Sequence, residues 1–186
     1  SARDRLLWLG ALEQTGALAA LLAALEVCAA PKELADLLMC VANTVGVISA
    51  SAGDQAARFC AAVRVVVGRM QATQSSRKVL FAGGLALSEL LRTCSEEVAR
   101  ALVECGGLAT VIEGMVAHCE GAQELDRCVQ CSGCRVLAAV AATNEVFVAV
   151  DAGAVQAVVR ALHHIPPRSL SLSQPSVLPP SQSLED

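Results

Sequence analysis

The sequence predicts an all-α fold in which similar helical units stack into one array. Three observations support this prediction: an aliphatic composition with few aromatic residues, an apolar stripe that returns at nearly constant spacing, and polar breaks between the stripes. Of the 186 residues 54% are apolar, but only 2% are aromatic. Small aliphatic side chains suit helices that pack closely along their length, whereas β-sandwiches draw on aromatic and β-branched residues.

One helical segment occurs four times, as "TGALAALLAAL", "CAAVRVVVGRM", "CGGLATVIEGM" and "AGAVQAVVRAL". The second residues of these segments are Gly16, Ala61, Gly106 and Gly153, spaced by 45, 45 and 47 residues. Two, five, six and nine positions later every residue is Leu, Val, Ile or Met. These offsets span an arc of about 100° on a helix but would scatter over both faces of a strand. We therefore predict an amphipathic anchor helix that is used four times. Its stripe residues are Leu18, Leu21, Leu22, Leu25; Val63, Val66, Val67, Met70; Leu108, Val111, Ile112, Met115; and Val155, Val158, Val159, Leu162.

Each anchor helix is followed by a break, a long helix rich in small residues, and a short helix. The breaks are "AAPKE", "QATQSSRK" and "HCEGAQELDR", and the long helices are "ELADLLMCVANTVGVIS", "VLFAGGLALSELL" and "CVQCSGCRVLAAVAA". The short helices are "DQAARFC", "EEVARALVEC" and "NEVFVAVDA". A glycine before an anchor helix allows a sharp turn between helices, and Pro31 suits a first helical turn. Units of this size bury their apolar faces only by stacking.

The sequence divides into a helical repeat domain, residues 1–164, and a Pro/Ser-rich segment, residues 165–186. Within the domain we predict full repeats at 16–60, 61–105 and 106–152, with partial repeats at 1–15 and 153–164. The final segment holds five of the six prolines and six serines. We expect it to be a flexible tail that acts as a plain linker. The alternatives are that "PSVLPP" binds a proline-reading domain or that its serines are phosphorylated.

The unit resembles the armadillo repeat. "VDAGAVQAVVRAL" and "VECGGLATVIEGM" have that repeat's acidic residue, small residue, glycine and aliphatic stripe. "LLMCVANTVG" resembles the end of its third helix, with Val41 at the usual Leu and Asn43 at the usual Asn. The resemblance covers residues 1–164. It implies a right-handed α-α superhelix, an armadillo-like solenoid of about three full repeats plus partial end repeats, whose third helices line a concave peptide-binding groove.

In the armadillo family a Trp and an Asn, four residues apart on each third helix, hold extended peptides. The pairs that match here are Met39 and Asn43, Leu85 and Glu89, and Arg135 and Ala139. One Asn is present and no Trp, a departure that argues against recognition of basic import signals. One turn earlier, Asp36 and Ser132 are expected to share the surface. The predicted groove residues are therefore Asp36, Met39, Asn43, Leu85, Glu89, Ser132 and Arg135.

The resemblance and these residues predict a non-catalytic scaffold that binds a partner protein segment, either an extended peptide or a helix. Asn43 would meet the partner's main chain, while Glu89 and Arg135 would select its charges. The plainer alternative is that Asp36, Glu89 and Arg135 are solvated residues of helix surfaces. A third alternative is a structural stretch of a larger protein that binds nothing on its own.

The segment "RCVQCSGCR" raises the alternative of a metal- or redox-sensing module that uses Cys128, Cys131 and Cys134. Thiolates three residues apart share a metal when they lie on a loop. Cys119, the nearest possible fourth ligand, lies across a predicted helix break. Cys131, Cys134, Ala138 and Ala141 have the 3, 4, 3 spacing of a core stripe, which favours packing.

No other motif predicts an enzyme or a cofactor. "FAGGLALS" lacks the glycine spacing of phosphate-binding loops, and no nucleophile has a His and Asp set that chain order would recommend. We expect no catalytic activity, no cofactor and no metal.

The charges, the longest uncharged run and the cysteines limit the kinds of partner and the compartment that we expect. The net charge is −4 and the 14 basic residues are scattered, so no nucleic-acid footprint is visible. The uncharged run at 37–53 contains several polar residues and is too short for a membrane span, so we expect no membrane association. Nine cysteines on helix faces favour a reducing compartment, cytoplasmic or nuclear. The opening segment resembles the end of one helix that runs into another, so we expect a fragment whose uncapped ends, "LLWLGAL" among them, self-associate.

Overall fold

A computed structural model describes residues 16–48, 56–93, 95–121 and 123–164. These residues form helices and no strands, which confirms the all-α prediction. The helices are α1 (Ala17–Val27), α2 (Pro31–Ile48), α3 (Ala56–Ala72), α4 (Arg77–Thr93), α5 (Ser95–Glu104), α6 (Gly107–Ala117), α7 (Glu124–Ala141), α8 (Val146–Asp151) and α9 (Ala154–His164). The partial repeat at 1–15, Cys94 and the segment 165–186 lie outside the described residues.

The anchor helices and the long helices form two parallel rows. Along the first row α1 contacts α3, α3 contacts α6 and α6 contacts α9. Along the second row α4 lies between α2 and α7 and packs extensively on both. Each long helix also packs on the anchor helix that precedes it, and the short helices α5 and α8 join one unit to the next. The contacts therefore run in the same order along both rows.

The recurring aliphatic stripe supplies much of the core. In α3 and α6 all eight stripe residues are buried, from Val63 to Met70 and from Leu108 to Met115. In α1 the first and last, Leu18 and Leu25, are buried, and the other two are partly buried. Long-helix residues such as Leu38, Leu87 and Val136 complete this core.

Three of the four stripe residues of the fourth unit are exposed and Val158 is partly buried, which corrects the prediction for α9. Val155, Val159 and Leu162 are 52%, 47% and 65% exposed, and the smaller Ala154, Ala157 and Ala161 face the core instead. The reason lies in the stacking: α1, α3 and α6 are each followed by a long helix, whereas no long helix follows α9 within the described residues.

Glycine determines where the short and anchor helices separate. Gly16, Gly106 and Gly153 have φ values of 66°, 73° and 90°, as the predicted sharp turns require. The fourth such position holds Ala61, which lies inside the continuous helix α3. We predicted two helices there, "DQAARFC" and the anchor helix. They are one helix because alanine, unlike glycine, disfavours the left-handed turn.

Two further glycines set the distance between the rows. A Cβ atom on Gly83 of α4 would overlap the side chain of Met70 in α3, and one on Gly133 of α7 would overlap Met115 in α6. Met70 and Met115 hold the same stripe position, nine residues after Ala61 and Gly106. Helices α4 and α7 therefore pack on their anchor helices in the same register.

Candidate functional site

The exposed surface of the long-helix row contains most of the predicted groove residues. We call this surface the long-helix face and define it by Asp36 and Asn43 of α2, Glu89 and Arg92 of α4, and Arg135 of α7. Asp36, Asn43 and Arg135 are exposed, and Glu89 is partly exposed. Met39 and Leu85 are partly buried and pack against the core, so they form the apolar floor of this face.

Glu89 connects the three long helices. Its Oε1 atom lies 3.3 Å from Nη2 of Arg135 in α7, and its Oε2 atom lies 3.0 Å from Nε of Arg92 in the next turn of α4. On the other side its carboxylate lies against Gly46 of α2, where an added Cβ atom would be 3.5 Å from Oε2. One carboxylate between two arginines thus marks the centre of the long-helix face.

The two arginines remain accessible although they are paired. The side chains of Arg92 and Arg135 are 59% and 57% exposed. Exposed ion pairs contribute only about 0.2–1 kcal/mol, so a partner's charged groups can replace them at little cost. Arg92 was not predicted for this surface, although its position three residues after Glu89 indicates the same helix face.

A surface depression lies beside this charged cluster, between α4 and α7. Its volume is about 390 Å³. The lining combines the Glu89, Arg92 and Arg135 charges with small or apolar side chains, namely Ser88, Leu91, Ala138, Ala139 and Ala142. This mixture suits a polypeptide, which offers backbone polar groups and short apolar side chains together.

Ser132 does not belong to the exposed surface, contrary to the prediction. Ser132 is 1% exposed, and its hydroxyl donates a hydrogen bond to the carbonyl oxygen of Val129 at 3.1 Å. The side chain fills the space above Gly84, where a Cβ atom would lie 2.7 Å from Oγ. Ser132 thus faces the preceding long helix, α4. Asp36 was placed at the same register of α2 but is exposed, because no long helix precedes α2 within the described residues.

The three cysteines of "RCVQCSGCR" lie on helix α7 rather than on a loop. At about 100° per residue, Cys128 and Cys134 point about 120° apart, so the three thiols do not converge on one point. Burial raises the pKa of the Cys134 thiol, and the neighbouring Cys131 adds to this effect. Burial is also the main cause that raises the pKa of the Cys128 thiol, with smaller contributions from Glu124 and Cys131. A raised pKa disfavours the thiolate, the form that binds metals and reacts with oxidants. No metal-binding group of His, Cys, Asp and Glu occurs in the described residues.

The stripe of Cys131, Cys134, Ala138 and Ala141 is less buried than predicted. Cys131, Ala138 and Ala141 are exposed and Cys134 is partly buried. Cys134 and Ala141 lie on the side of α7 away from α4, where no further long helix is described, and Ala138 lies between that side and the depression. Their small, apolar character is that of a packing surface, but no described helix packs on it.

A second polar cluster, at the start of α7, has a structural role. Asp126 is buried, forms an ion pair with Nε of Arg77 in α4, and lies 3.6 Å from Nδ1 of His118. Its Oδ2 atom accepts a hydrogen bond from the backbone N–H of Gln123 at 3.2 Å, as part of a capping box. With its carboxylate oxygens already paired, Asp126 joins α4, α6 and α7 rather than facing a substrate.

None of the described helices is long and apolar enough to cross a membrane. Comparison of the chain with protein-family models, with curated proteins and with solved structures finds no match.

Proposed function

We propose that this protein is a non-catalytic scaffold that binds an extended segment of a partner protein along the long-helix face. The observation that carries the proposal is the cluster of Glu89, Arg92 and Arg135 beside a depression of about 390 Å³. Helices fixed by a continuous core lose little conformational freedom on binding, so more of the interaction free energy remains as affinity.

Each residue has a distinct role in this proposal. The Asn43 side chain offers a donor and an acceptor, which matches the backbone amide of an extended peptide. Glu89 attracts a basic side chain and the arginines attract an acidic one, so the partner carries both charges in close succession. Met39 and Leu85 contact the intervening apolar side chains.

The finer features of the fold belong to the same proposal. We infer an armadillo-like right-handed superhelix whose long helices line the concave side, with repeats at 16–60, 61–105 and 106–152. The recurring stripe, the glycine turns and the common register of α4 and α7 support this inference. The thiols of Cys128, Cys131 and Cys134 are outside disulfides, which supports the proposal of a reducing compartment, cytoplasmic or nuclear.

The experiment is selection of peptides from a random display library on the full chain, followed by calorimetric titration of the enriched sequences. We expect extended peptides that contain both an acidic and a basic residue. The variant Asn43→Ala/Glu89→Lys/Arg135→Glu should bind them at least tenfold more weakly.

A matched control makes the same kinds of change elsewhere: Gln156→Ala, Glu113→Lys and Arg64→Glu, which are exposed positions on anchor helices. The control should bind as the unmodified chain does. If the groove variant retains full affinity, or if both variants lose it equally, the proposed binding surface is wrong.

A further inference from the structure

On the side of α7 away from α4 there is an apolar groove that no other described residue covers. We call it the end groove. Its volume is about 370 Å³, and its lining includes Leu137, Ala138 and Ala141 of α7 and Val155, Val158 and Val159 of α9. Single exposed valines are ordinary on protein surfaces, but a contiguous apolar groove marks an interaction site.

The described residues contain the same kind of groove in a filled state. Helix α7 packs on α4, α5 and α6, and its Gly133 lies against Met115 of α6. Helix α4 in turn sets Gly83 against Met70 of α3. The α9 residue that corresponds to Met70 and Met115 is Leu162, which is exposed. Leu162 does not line the end groove but lies one helical turn beyond the lining residue Val158 on the same stripe. A further long helix that entered the groove and continued past it would therefore place a small residue against Leu162.

The exposed stripe of α7 gives the same register independently. Helices α4 and α7 can be aligned on Gly83 and Gly133. Three residues of α4 then have counterparts in α7: Gly84 corresponds to Cys134, Ser88 to Ala138 and Leu91 to Ala141. The α4 residues are buried, and Ser132 of α7 covers the first of them. The corresponding α7 residues line the end groove. The α7 wall and the α9 wall of the end groove thus both correspond to surfaces that a long helix covers in the preceding unit.

A charged residue at the edge of the end groove completes the correspondence. In the α4–α7 interface Arg77 donates a hydrogen bond to the carboxylate of Asp126, near the start of α7. The residue of α7 that corresponds to Arg77 is Arg127, which is exposed and lies beside Ala161 of α9. A helix that enters in the same register would need a carboxylate there.

We propose that the end groove binds an amphipathic α-helix of a partner protein, in the place of a further long helix of the array. From its N-terminal side, the bound helix carries an acidic residue, then five residues of any kind, then a small residue followed directly by a glycine. Its acidic residue meets Arg127, its small residue meets Cys134 and its glycine meets Leu162. The end groove shares Ala138 with the depression beside the long-helix face, but its other lining residues differ, and it continues the packing interface between α4 and α7.

The probe is a synthetic peptide with the sequence of residues 123–141 and its three cysteines replaced by alanine. It contains the acidic residue, the small residue and the glycine as Asp126, Ser132 and Gly133. We expect one-to-one binding to the full chain, with a gain of helical circular dichroism. The control peptide with Gly133→Leu should bind at least tenfold more weakly, because a leucine side chain prevents the close approach.

Protein variants locate the binding site. Val159→Asp should weaken peptide binding at least tenfold, whereas Val27→Asp, a change at an exposed valine of α1, should leave it unchanged. If the peptide instead displaced the chain's own helix α7, its binding would not depend on Val159. The Val159 and Val27 variants therefore also distinguish binding in the end groove from displacement of α7. Arg127→Glu should weaken binding about threefold, as expected for an exposed ion pair, and Asp126→Lys in the peptide should restore it.

The other possible occupants give different results. If the peptide binds only when Leu170, Leu172 and Leu178 are replaced by Ser in the full chain, the groove holds the chain's own C-terminal segment and the proposal is wrong. If sedimentation shows an oligomer that Val159→Asp dissociates, the occupant is a second copy. Absence of binding to both the unmodified chain and the leucine variant, in a monomer, would also overturn the proposal.

Discussion

At the residue scale, single glycines and alanines decide where the helices turn. Gly16, Gly106 and Gly153 adopt positive φ, and each stands one residue before the helix that follows its turn. Ala61 stands at the same point of the repeat, and α3 continues through it. The alanine itself indicates a continuous helix, but the four stretches resemble one another so closely that their common pattern predicts a turn at Ala61 as well.

Replacement of Gly106 tests this conclusion. Gly106→Ala should lower the free energy of unfolding by about 1–2 kcal/mol, because an L-residue resists a φ of 73°. The control is Gly68→Ala: Gly68 is an exposed residue inside α3 with open space around its Cβ position, so alanine should raise the same free energy by about 0.5–1 kcal/mol. Urea unfolding followed by circular dichroism measures both values. Equal stability changes in the two variants would refute the glycine-turn account.

Individual surface residues were harder to predict than turns. Asn43, Glu89 and Arg135 were expected on the exposed long-helix face and lie there, whereas Ser132 is buried. Periodicity gives the direction of a side chain on its own helix. It does not say which neighbouring helix covers that direction, and α4 covers Ser132.

At the element scale, the type and order of the helices were predictable and their burial was less so. The long helices follow from runs of small apolar residues between polar breaks, and α2, α4 and α7 occupy those runs. The stripe of α9 was expected in the core because it matches the other three stripes. Its exposure could not be predicted, since burial of a stripe requires a helix on top of it and that helix is not specified by the stripe itself.

The start of α7 depends on a buried charge that pairs with α4. Arg77→Met should lower the free energy of unfolding by about 1–3 kcal/mol, because it leaves the buried Asp126 carboxylate with weaker partners. Arg64→Met is the control: Arg64 pairs with Glu104 at 3.7 Å with both side chains exposed, so its loss should cost less than about 1 kcal/mol. Chemical denaturation compares the two. A smaller effect for Arg77 than for Arg64 would mean that the pair with Asp126 does not anchor α7.

At the scale of the whole molecule, corresponding helices stack in rows, and the surfaces of interest follow from that arrangement. The long-helix face exists because three long helices lie side by side, and the end groove exists because the described row stops at α7. Composition and periodicity predicted the stacking. They did not predict the depression beside Glu89, which depends on how far apart α4 and α7 lie along their length.

The most direct test of the stacking is nuclear magnetic resonance of the chain labelled at the methionine methyl groups and at glycine. The chain has three methionines, so the methyl signals are readily assigned. We expect Overhauser contacts from the Met70 methyl group to the Hα atoms of Gly83, and from the Met115 methyl group to those of Gly133. These contacts follow because Cβ atoms built on the two glycines lie 3.3 and 3.5 Å from the respective Cε atoms. If either contact is missing, or if Met70 contacts Gly133 instead, α4 and α7 do not occupy corresponding places and the stacked-unit account is wrong.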